Sequence, residues 1–451
     1  MRPLKSVPNT FTFLLCLFFA RNSLAQAETT AQQNGLDRPS KLTLGEAKQI
    51  AFRNNWDLLA AKTDVALAIA QNIVAQEFPN PTLSFSNQKI NTDGQPNGTA
   101  AGNDLWHRRY DTIVAVNQLF EIGGKRLNRQ RSAQAGWRSA RARLFDARRV
   151  LEAAVTKAYV AALLAQANVE VLQQSARSLR QEAKIAETRL QAGDISSSDR
   201  NQIEIAASRL ELDAKKAEGD ATTARIVLEV LLGRKSSEGN WLPGETLDSL
   251  AVFSVTANES NPGALRPDLL AAEAALQKAE AELRLARAQR IPDPTLLAQF
   301  EHQPPDQPNT IGLGVSFPLP LWNHNRGAIK SGEAARDQAA IQLQKTRGQI
   351  FSEIKIAGIA YENARARWER YDREIRPKSE EVRKTVAFAY EKGGASLLDL
   401  LTAERNDNDV RLATAHAQAE SASAAADLVS AQTILNETEL RTKESKHENT
   451  N

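Results

Sequence analysis

The 451-residue sequence has a single cysteine, Cys16, and it lies inside an N-terminal apolar run. The rest of the chain is thiol-free, which excludes disulfides, thiolate metal sites and cysteine nucleophiles. Aromatics are scarce at 6%, and beyond the N-terminal run no unbroken stretch of 18 apolar residues occurs, so no helical membrane span is expected. Net charge is only +3, from 57 Lys and Arg against 54 Asp and Glu. These charges alternate along helix faces without forming a basic block, which excludes a nucleic-acid partner. The five histidines, His107, His302, His324, His416 and His447, have no partner at metal-ligand spacing, so no metal site is expected. A phosphate-binding glycine loop, a nucleophile elbow and paired catalytic carboxylates are also missing. Neither an enzyme nor a cofactor is expected.

What the sequence does have is repetition. Gly193-Asp194-Ile195-Ser196-Ser197-Ser198-Asp199 returns 200 residues later as Gly393-Gly394-Ala395-Ser396-Leu397-Leu398-Asp399, each after a long helical run. Asp57-Leu58-Leu59-Ala60-Ala61 likewise returns at Asp268-Leu269-Leu270-Ala271-Ala272, and Phe78-Pro79-Asn80-Pro81 at Ile291-Pro292-Asp293-Pro294. Self-similarity at so long a period means a duplicated architecture. Each half reads as helix, extended segment, loop, extended segment, very long helix, tight turn, helix.

At the N-terminus, Arg2 and Lys5 precede the apolar run Phe11 to Ala20, followed by the small-x-small site Ser23-Leu24-Ala25. This is the pattern of a cleaved secretory signal, too short for the roughly 20 residues a span requires. Cys16 lies within the run and is badly placed for a lipid anchor. The expected organisation is therefore a signal over 1–25, a first repeat over 26–232, a linker that packs as a collar over 233–265, a second repeat over 266–438 and a disordered tail over 439–451.

From Leu151 the apolar positions step by four and three through Val155, Ala162, Val169, Ala176, Leu179, Ala183 and Ala186, and they resume after the turn at Ile203, Ala207, Ala214, Ala217 and Leu228. A sustained seven-residue period is a coiled-coil seam. One helix from Lys125 to Gln191 would span on the order of 100 Å. The second half repeats the device at Ile354, Ala357, Tyr361, Ala364 and Trp368, where Pro377 should remove a backbone hydrogen bond and kink the helix.

Four segments alternate with period two. Ile311, Leu313, Val315 and Phe317 interleave with Gly312, Gly314 and Ser316, and Leu83 and Phe85 with Ser84 and Ser86. Leu296, Ala298 and Phe300 form a third set, and Tyr110 to Phe120 is the least regular. The lengths suit tilted membrane strands of about 9 to 11 residues. A small soluble sheet capping the helices fits the pattern equally well. Hydrophilic loops at 87–109 and 302–309 join the strands, with Trp106, Tyr110 and Trp322 placed as interfacial aromatics.

The chain resembles the TolC-like outer membrane efflux family over nearly all its mature length. The resemblance rests on Leu42-Thr43-Leu44 with Ala51 and Asn55, Arg266-Pro267-Asp268-Leu269, Phe120-Glu121-Ile122-Gly123-Gly124-Lys125-Arg126, and Tyr390-Glu391-Lys392-Gly393-Gly394 before Leu397-Leu398-Asp399. The Glu-Ile-Gly-Gly-Lys-Arg junction looks most like the CzcC-like branch serving heavy-metal cation efflux. The resemblance implies a mainly α protein with a small membrane β-barrel, in which the duplicated coiled-coil hairpins form a periplasmic tunnel. Three protomers would give four strands each to a 12-stranded barrel. It also implies as partners a periplasmic adaptor, an inner-membrane RND transporter and outer-membrane lipid.

Ser196 with Asp199 and Ser396 with Asp399 read as capping boxes. In a closed trimeric tube, Asp199, Asp399 and Asp194 become gate candidates as rings of negative charge. By resemblance, Asp399 matches a constriction aspartate of the family; the second family acid falls on Thr402. The tip residues Gly193, Ile195, Ser196, Gly393, Gly394, Ala395 and Ser396 would meet the adaptor. Leu83, Phe85, Ile311, Leu313, Val315 and Phe317 would form the outer barrel face. The competing readings are an exit duct for multidrug efflux or type I secretion and, in a different class, a periplasmic coiled-coil adaptor or scaffold.

Overall fold

The computed structural model describes residues 41–88, 111–250, 266–303 and 307–434. The signal over 1–25, the tail over 439–451, Trp106, Tyr110, most of the first inter-strand loop and the end of the linker lie outside the described residues.

In chain order the elements are β1 (Lys41–Leu42), α1 (Leu44–Asn54), α2 (Trp56–Gln76), β2 (Thr82–Gln88), β3 (Asp111–Leu119), α3 (Lys125–Ala192) and α4 (Ser197–Leu231). There follow β4 (Leu242–Pro243), the single turn α5 (Leu247–Leu250), α6 (Pro267–Ala288), β5 (Thr295–Gln303), β6 (Gln307–Ser316), α7 (Arg326–Arg370), a π turn (Tyr371–Ile375), α8 (Arg376–Glu391) and α9 (Leu397–Gln432).

The seam residues explain the helical packing. Leu151, Val155, Ala162, Val169, Ala176, Leu179, Ala183 and Ala186 are all buried on α3, as are Ile203, Ala207, Ala214, Ala217 and Leu228 on α4. Mostly alanine at these positions lets the helix axes approach closely, while the opposite faces stay wet. At 68 residues, α3 is about 100 Å long. Its first half packs against α2 and α6, and its second half against α4 and α9; α7 likewise runs beside α6 and then α9. The long helices α3 and α7 are thus shared between two four-helix layers stacked end to end.

The layers meet at a waist. Leu42, Leu44, Ala51, Tyr159, Leu228, Trp241, Leu247 and Ala419 form one buried cluster there. The Tyr159 hydroxyl donates to the Leu42 carbonyl at 2.8 Å, and its ring stacks on Trp241 at 6.2 Å. Burial, with Glu245 close by, pushes the Tyr159 phenol well above its ordinary range. Lys41–Leu42 pairs in parallel with Leu242–Pro243, drawing residues 241–250 across the middle of α3 and α9.

Asn55 is the only residue between α1 and α2, and it serves both. It is the C-cap of α1, its side chain accepts from Leu58 N at 3.0 Å, and its amide donates to the Leu231 carbonyl at 3.0 Å. Helical periodicity announces no break here, because the role of this Asn depends on its two partners, one of them distant in sequence.

The four long strands form one antiparallel sheet in the order β2-β3-β5-β6. Register makes it two-faced. Leu83 stands beside Val116, Ala298 and Leu313, and Phe85 beside Val114, Phe300 and Ile311. The other face carries Ser84, Ala115, Gln299 and Gly312, then Ser86, Ile113, Glu301 and Thr310. The second inter-strand loop is shorter than the sequence suggests: strand pairing continues to Gln303 with Gln307, because its polar residues alternate as well as turn residues would.

The helical run is interrupted at Pro377: a π turn precedes it, in which Arg376 N bonds back to the Tyr371 carbonyl, and Pro377, lacking its N–H, sits in the first turn of α8. Two helices are nevertheless long and apolar enough on average to cross a membrane. Trp56–Gln76 reaches a mean hydropathy of 1.4, and a window of α3 reaches 1.3. Alanine-rich helices score highly without any unbroken apolar run, and both of these pack in the helical layer.

Candidate functional site

At the end of the helical layer away from the sheet, α3 and α4 are joined at Gly193 and α8 and α9 at Gly393. Both glycines are left-handed, at φ 80° and 75°. Asp194 N bonds to the Arg189 carbonyl at 2.9 Å and Gly193 N to Leu190 at 3.0 Å; Gly394 N bonds to Ala389 at 2.7 Å and Gly393 N to Tyr390 at 3.1 Å. This is the Schellman pattern twice over, satisfying the last helical carbonyls.

Each following helix opens with a capping box. Asp199 N donates to Ser196 Oγ at 3.1 Å and Ser196 N to Asp199 Oδ2 at 3.3 Å. At the second tip the matching distances are 3.2 Å and 3.0 Å. The Ser396 hydroxyl and backbone amide hold the exposed Asp399 carboxyl below its ordinary value. Thr402, where the family pattern has a second acid, donates to the Leu398 carbonyl at 2.7 Å and carries no charge.

The fold brings the two tips together. Leu397 and Leu401 of the second hairpin pack on Leu179, Ala183, Ile203 and Ala207 of the first, with Ile195 beside them. The Arg189 guanidinium lies 5.3 Å over the Tyr390 ring. Tyr390 is buried, and that burial raises its phenol pKa. Glu182 is also raised, first by burial and then by Glu404 and Glu391. Of the other sequence candidates, Asp194, Gly193, Gly394, Ser196 and Ser396 are exposed, while Ile195, Asp199 and Ala395 are partly covered.

Above the tips, Asp407 is buried on α9 between Arg383, at 3.2 Å, and Arg411, at 2.8 Å, and Arg383 also reaches Glu404. Ser175 of α3 donates to Asn408 at 3.0 Å. The arginine–carboxylate contacts join α8 to α9 within the second hairpin, and the Ser175–Asn408 bond ties that hairpin to the first. At the sheet end, Leu83, Phe85, Ile311, Leu313, Val315 and Phe317 are all exposed, so the apolar face is uncovered within one chain. Among the described residues no group of three His, Cys, Asp or Glu side chains could hold a metal ion.

A two-faced sheet set on a helical layer about 100 Å long, with capped hairpin tips at the far end, is the subunit architecture of an outer-membrane channel of the efflux type. The chain belongs to the outer membrane efflux protein family, whose model matches residues 48–234 and 263–432. It is 25% identical over 364 residues to the cobalt-zinc-cadmium resistance protein CzcC of Cupriavidus metallidurans, covering 81% of this chain and 83% of that one. It is 23% identical to the cation efflux system protein CusC of Escherichia coli K12, covering 90% and 88%. It is also 26% identical over 382 residues to the pyoverdine export outer membrane protein OpmQ of Pseudomonas aeruginosa, covering 79% and 78%. Its fold matches a solved CusC structure with a TM-score of 0.70 at 18% identity, over 90% of this chain and 96% of that one. The VceC structure from Vibrio cholerae matches at 0.69 and 20%, over 86% and 95%. The protein is an outer-membrane efflux channel.

Proposed function

We propose that three copies of this chain form the exit duct of a tripartite RND-type pump, and that the duct carries heavy-metal cations. The observation that carries the trimer is the sheet. Four strands with one apolar face cannot close, and β2 and β6 leave open edges that no membrane protein can leave facing lipid. Three copies give twelve strands, enough for a small closed barrel.

The helical layer has matching unpartnered margins. On α4, Ile205, Leu212 and Val230 are exposed, and on α7 Ile341, Phe351 and Ile359 are exposed on the side away from the buried Leu343, Ile350 and Ala364. One margin packing on the other in a neighbouring copy closes a tube by a heterologous, rotationally closed contact.

In that tube, Asp199 and Asp399 form two rings near the tips, with Asp194 below them, attracting cations and repelling anions. Gly193, Gly393 and their neighbours meet the adaptor hairpins. The duct itself is passive, and selectivity rests with the inner-membrane transporter. Metal cargo is supported by relatives named for cobalt-zinc-cadmium resistance and cation efflux. Export of organic compounds is the second reading, favoured by the pyoverdine relative.

The test is the mass of the purified complex together with the phenotype of a deletion strain. Three chains per particle and sensitivity to cobalt, zinc or cadmium are expected. A monomer overturns the duct, and sensitivity to organic toxicants alone selects the second reading.

A further inference from the structure

The sheet ends nearest the helices carry a feature that the duct alone does not require. Leu119, Thr295 and Ser316 stand side by side in the register, so the chain just beyond them marks one level. Past the end of β6 the alternation of exposed apolar residues continues: Phe317, Leu319 and Leu321 are 57%, 65% and 62% exposed, and Trp322 is 92% exposed. Pro318 and Pro320, between them, cannot donate to a ladder, so the strand ends here and the chain turns tightly, Leu321 N donating to the Leu319 carbonyl at 2.9 Å. Phe78 and Phe120, at the same level, are exposed as well.

From Ile311 to Leu319, where the chain turns back, the run is about 26 Å long at roughly 3.3 Å per residue. At the usual tilt of about 40° its height is about 20 Å, most of the roughly 25 Å apolar band of a membrane barrel. The last part of the run therefore approaches the lower boundary of that band, where polar headgroups begin.

Basic residues cluster at that boundary. The Arg126 guanidinium lies 3.8 Å over the Phe78 ring and is held there by donating Nε and Nη2 to the Gln76 carbonyl, which leaves Nη1 to face outward. Arg290 and Arg326 are exposed at the end of α6 and the start of α7, and neither has an acidic partner among the described residues. Of the nearby carboxylates, Asp293 is committed to Lys125 and Glu121 to Arg129, and exposed Glu77 offsets one of the three free-standing arginines. The local balance is therefore positive beside an apolar rim.

We infer that this rim is a docking surface for anionic glycerophospholipid in the periplasm-facing leaflet: Phe317, Leu319, Leu321 and Trp322 enter the acyl boundary, and Arg126, Arg290 and Arg326 hold the headgroup phosphates. The inference rests on the duct reading above. Each arginine near such a surface is worth about fivefold in binding, and together they make the preference for anionic lipid steep.

The test is native mass spectrometry of the full-length protein, purified in detergent and incubated with dioleoylphosphatidylglycerol or dioleoylphosphatidylcholine. The expected result is oligomer retaining the anionic lipid in at least about tenfold preference. The triple variant Arg126→Gln, Arg290→Gln, Arg326→Gln should lower that preference to near unity at unchanged oligomer mass, and Trp322→Ser should lower retention of both lipids. Equal retention of the two lipids by the native oligomer overturns the inference and leaves the duct standing. Dissociation of the oligomer by Trp322→Ser also overturns it, since the segment is then a contact between protomers. Recovery of the native chain as a monomer overturns both readings.

Discussion

Lys125 Nζ lies 2.7 Å from Asp293 Oδ2, joining the start of α3 in the first repeat to the approach to β5 in the second. The same ammonium donates to the Ile291 carbonyl at 2.5 Å, and Asp293 Oδ1 accepts from Ile122 N at 2.9 Å. With Lys125 buried, this knot fixes how the sheet sits on the helices.

Removing the acid should therefore cost stability. Asp293→Ala leaves an unpaired ammonium in a nearly dry site and should destabilise the protein by about 2 kcal/mol, below the range for a fully buried pair because Asp293 keeps some solvent. Asp293→Asn, which can still accept from Ile122, should cost less. Thermal unfolding of the purified variants measures both; equal unfolding temperatures for wild type and Asp293→Ala would show the pair to be idle.

Three left-handed glycines should respond differently to substitution. At Gly193 and Gly393 an added Cβ meets nothing within 4 Å, whereas at Gly233 it would stand 2.1 Å from the Asn54 carbonyl oxygen. Gly393→Val should then cost only the local backbone strain of about 1–2 kcal/mol, leaving the unfolding temperature close to native while adaptor cross-linking falls severalfold. Gly233→Ala should prevent the waist from packing and abolish accumulation in the outer membrane. Normal adaptor cross-linking and transport in Gly393→Val would remove that tip from the docking surface.

Asp399 gives a pH dependence of defined sign. Its pKa in the folded chain is below the ordinary 3.8, because of Ser396. The capping contribution is therefore fully present above that ordinary value and is lost as pH falls through the folded one. As a gate ring, the aspartates should keep the channel cation-preferring in planar bilayers down to a pH below 3.8, and Ser396→Ala should move the loss of preference upward. A selectivity profile unmoved by Ser396→Ala and by Asp399→Asn would leave Asp399 a helix cap without a gating role.

Asn55→Ala deletes the cap of α2 and the bond to Leu231 together. The expected cost is about 2 kcal/mol, at the upper end for a cap because the carbonyl partner is left behind in a buried site. Asn55→Asp restores the cap acceptor but not the donor and should recover part of it, as read by the midpoint of thermal unfolding.

Much of the fold was legible in advance because its signals are local and repeated. The α3 seam from Leu151 to Ala186 is a seven-residue rhythm that only a long helix with a partner can use, and Gly193 and Gly393 stop it at equivalent places. The capping boxes follow from Ser-x-x-Asp spacing alone. Asn55, the π turn before Pro377 and the Arg189–Tyr390 contact were not legible, for one shared reason: each depends on a group distant in sequence or on how a helix redistributes a missing hydrogen bond. The high average hydropathy of α2 and α3 comes from scattered alanines, which an unbroken-run criterion does not detect.

The sequence by itself determined the duplication, the two long hairpins, their capped tips and the alternation of the four strands, since periods of seven and two are written in the order of residues. Tertiary structure alone decided which strands neighbour one another, that Leu83, Val116, Ala298 and Leu313 share one face, and that the second tip leans on the first. Those outcomes depend on long-range register and on which buried groups find partners, and the periodicity of any one segment does not specify either.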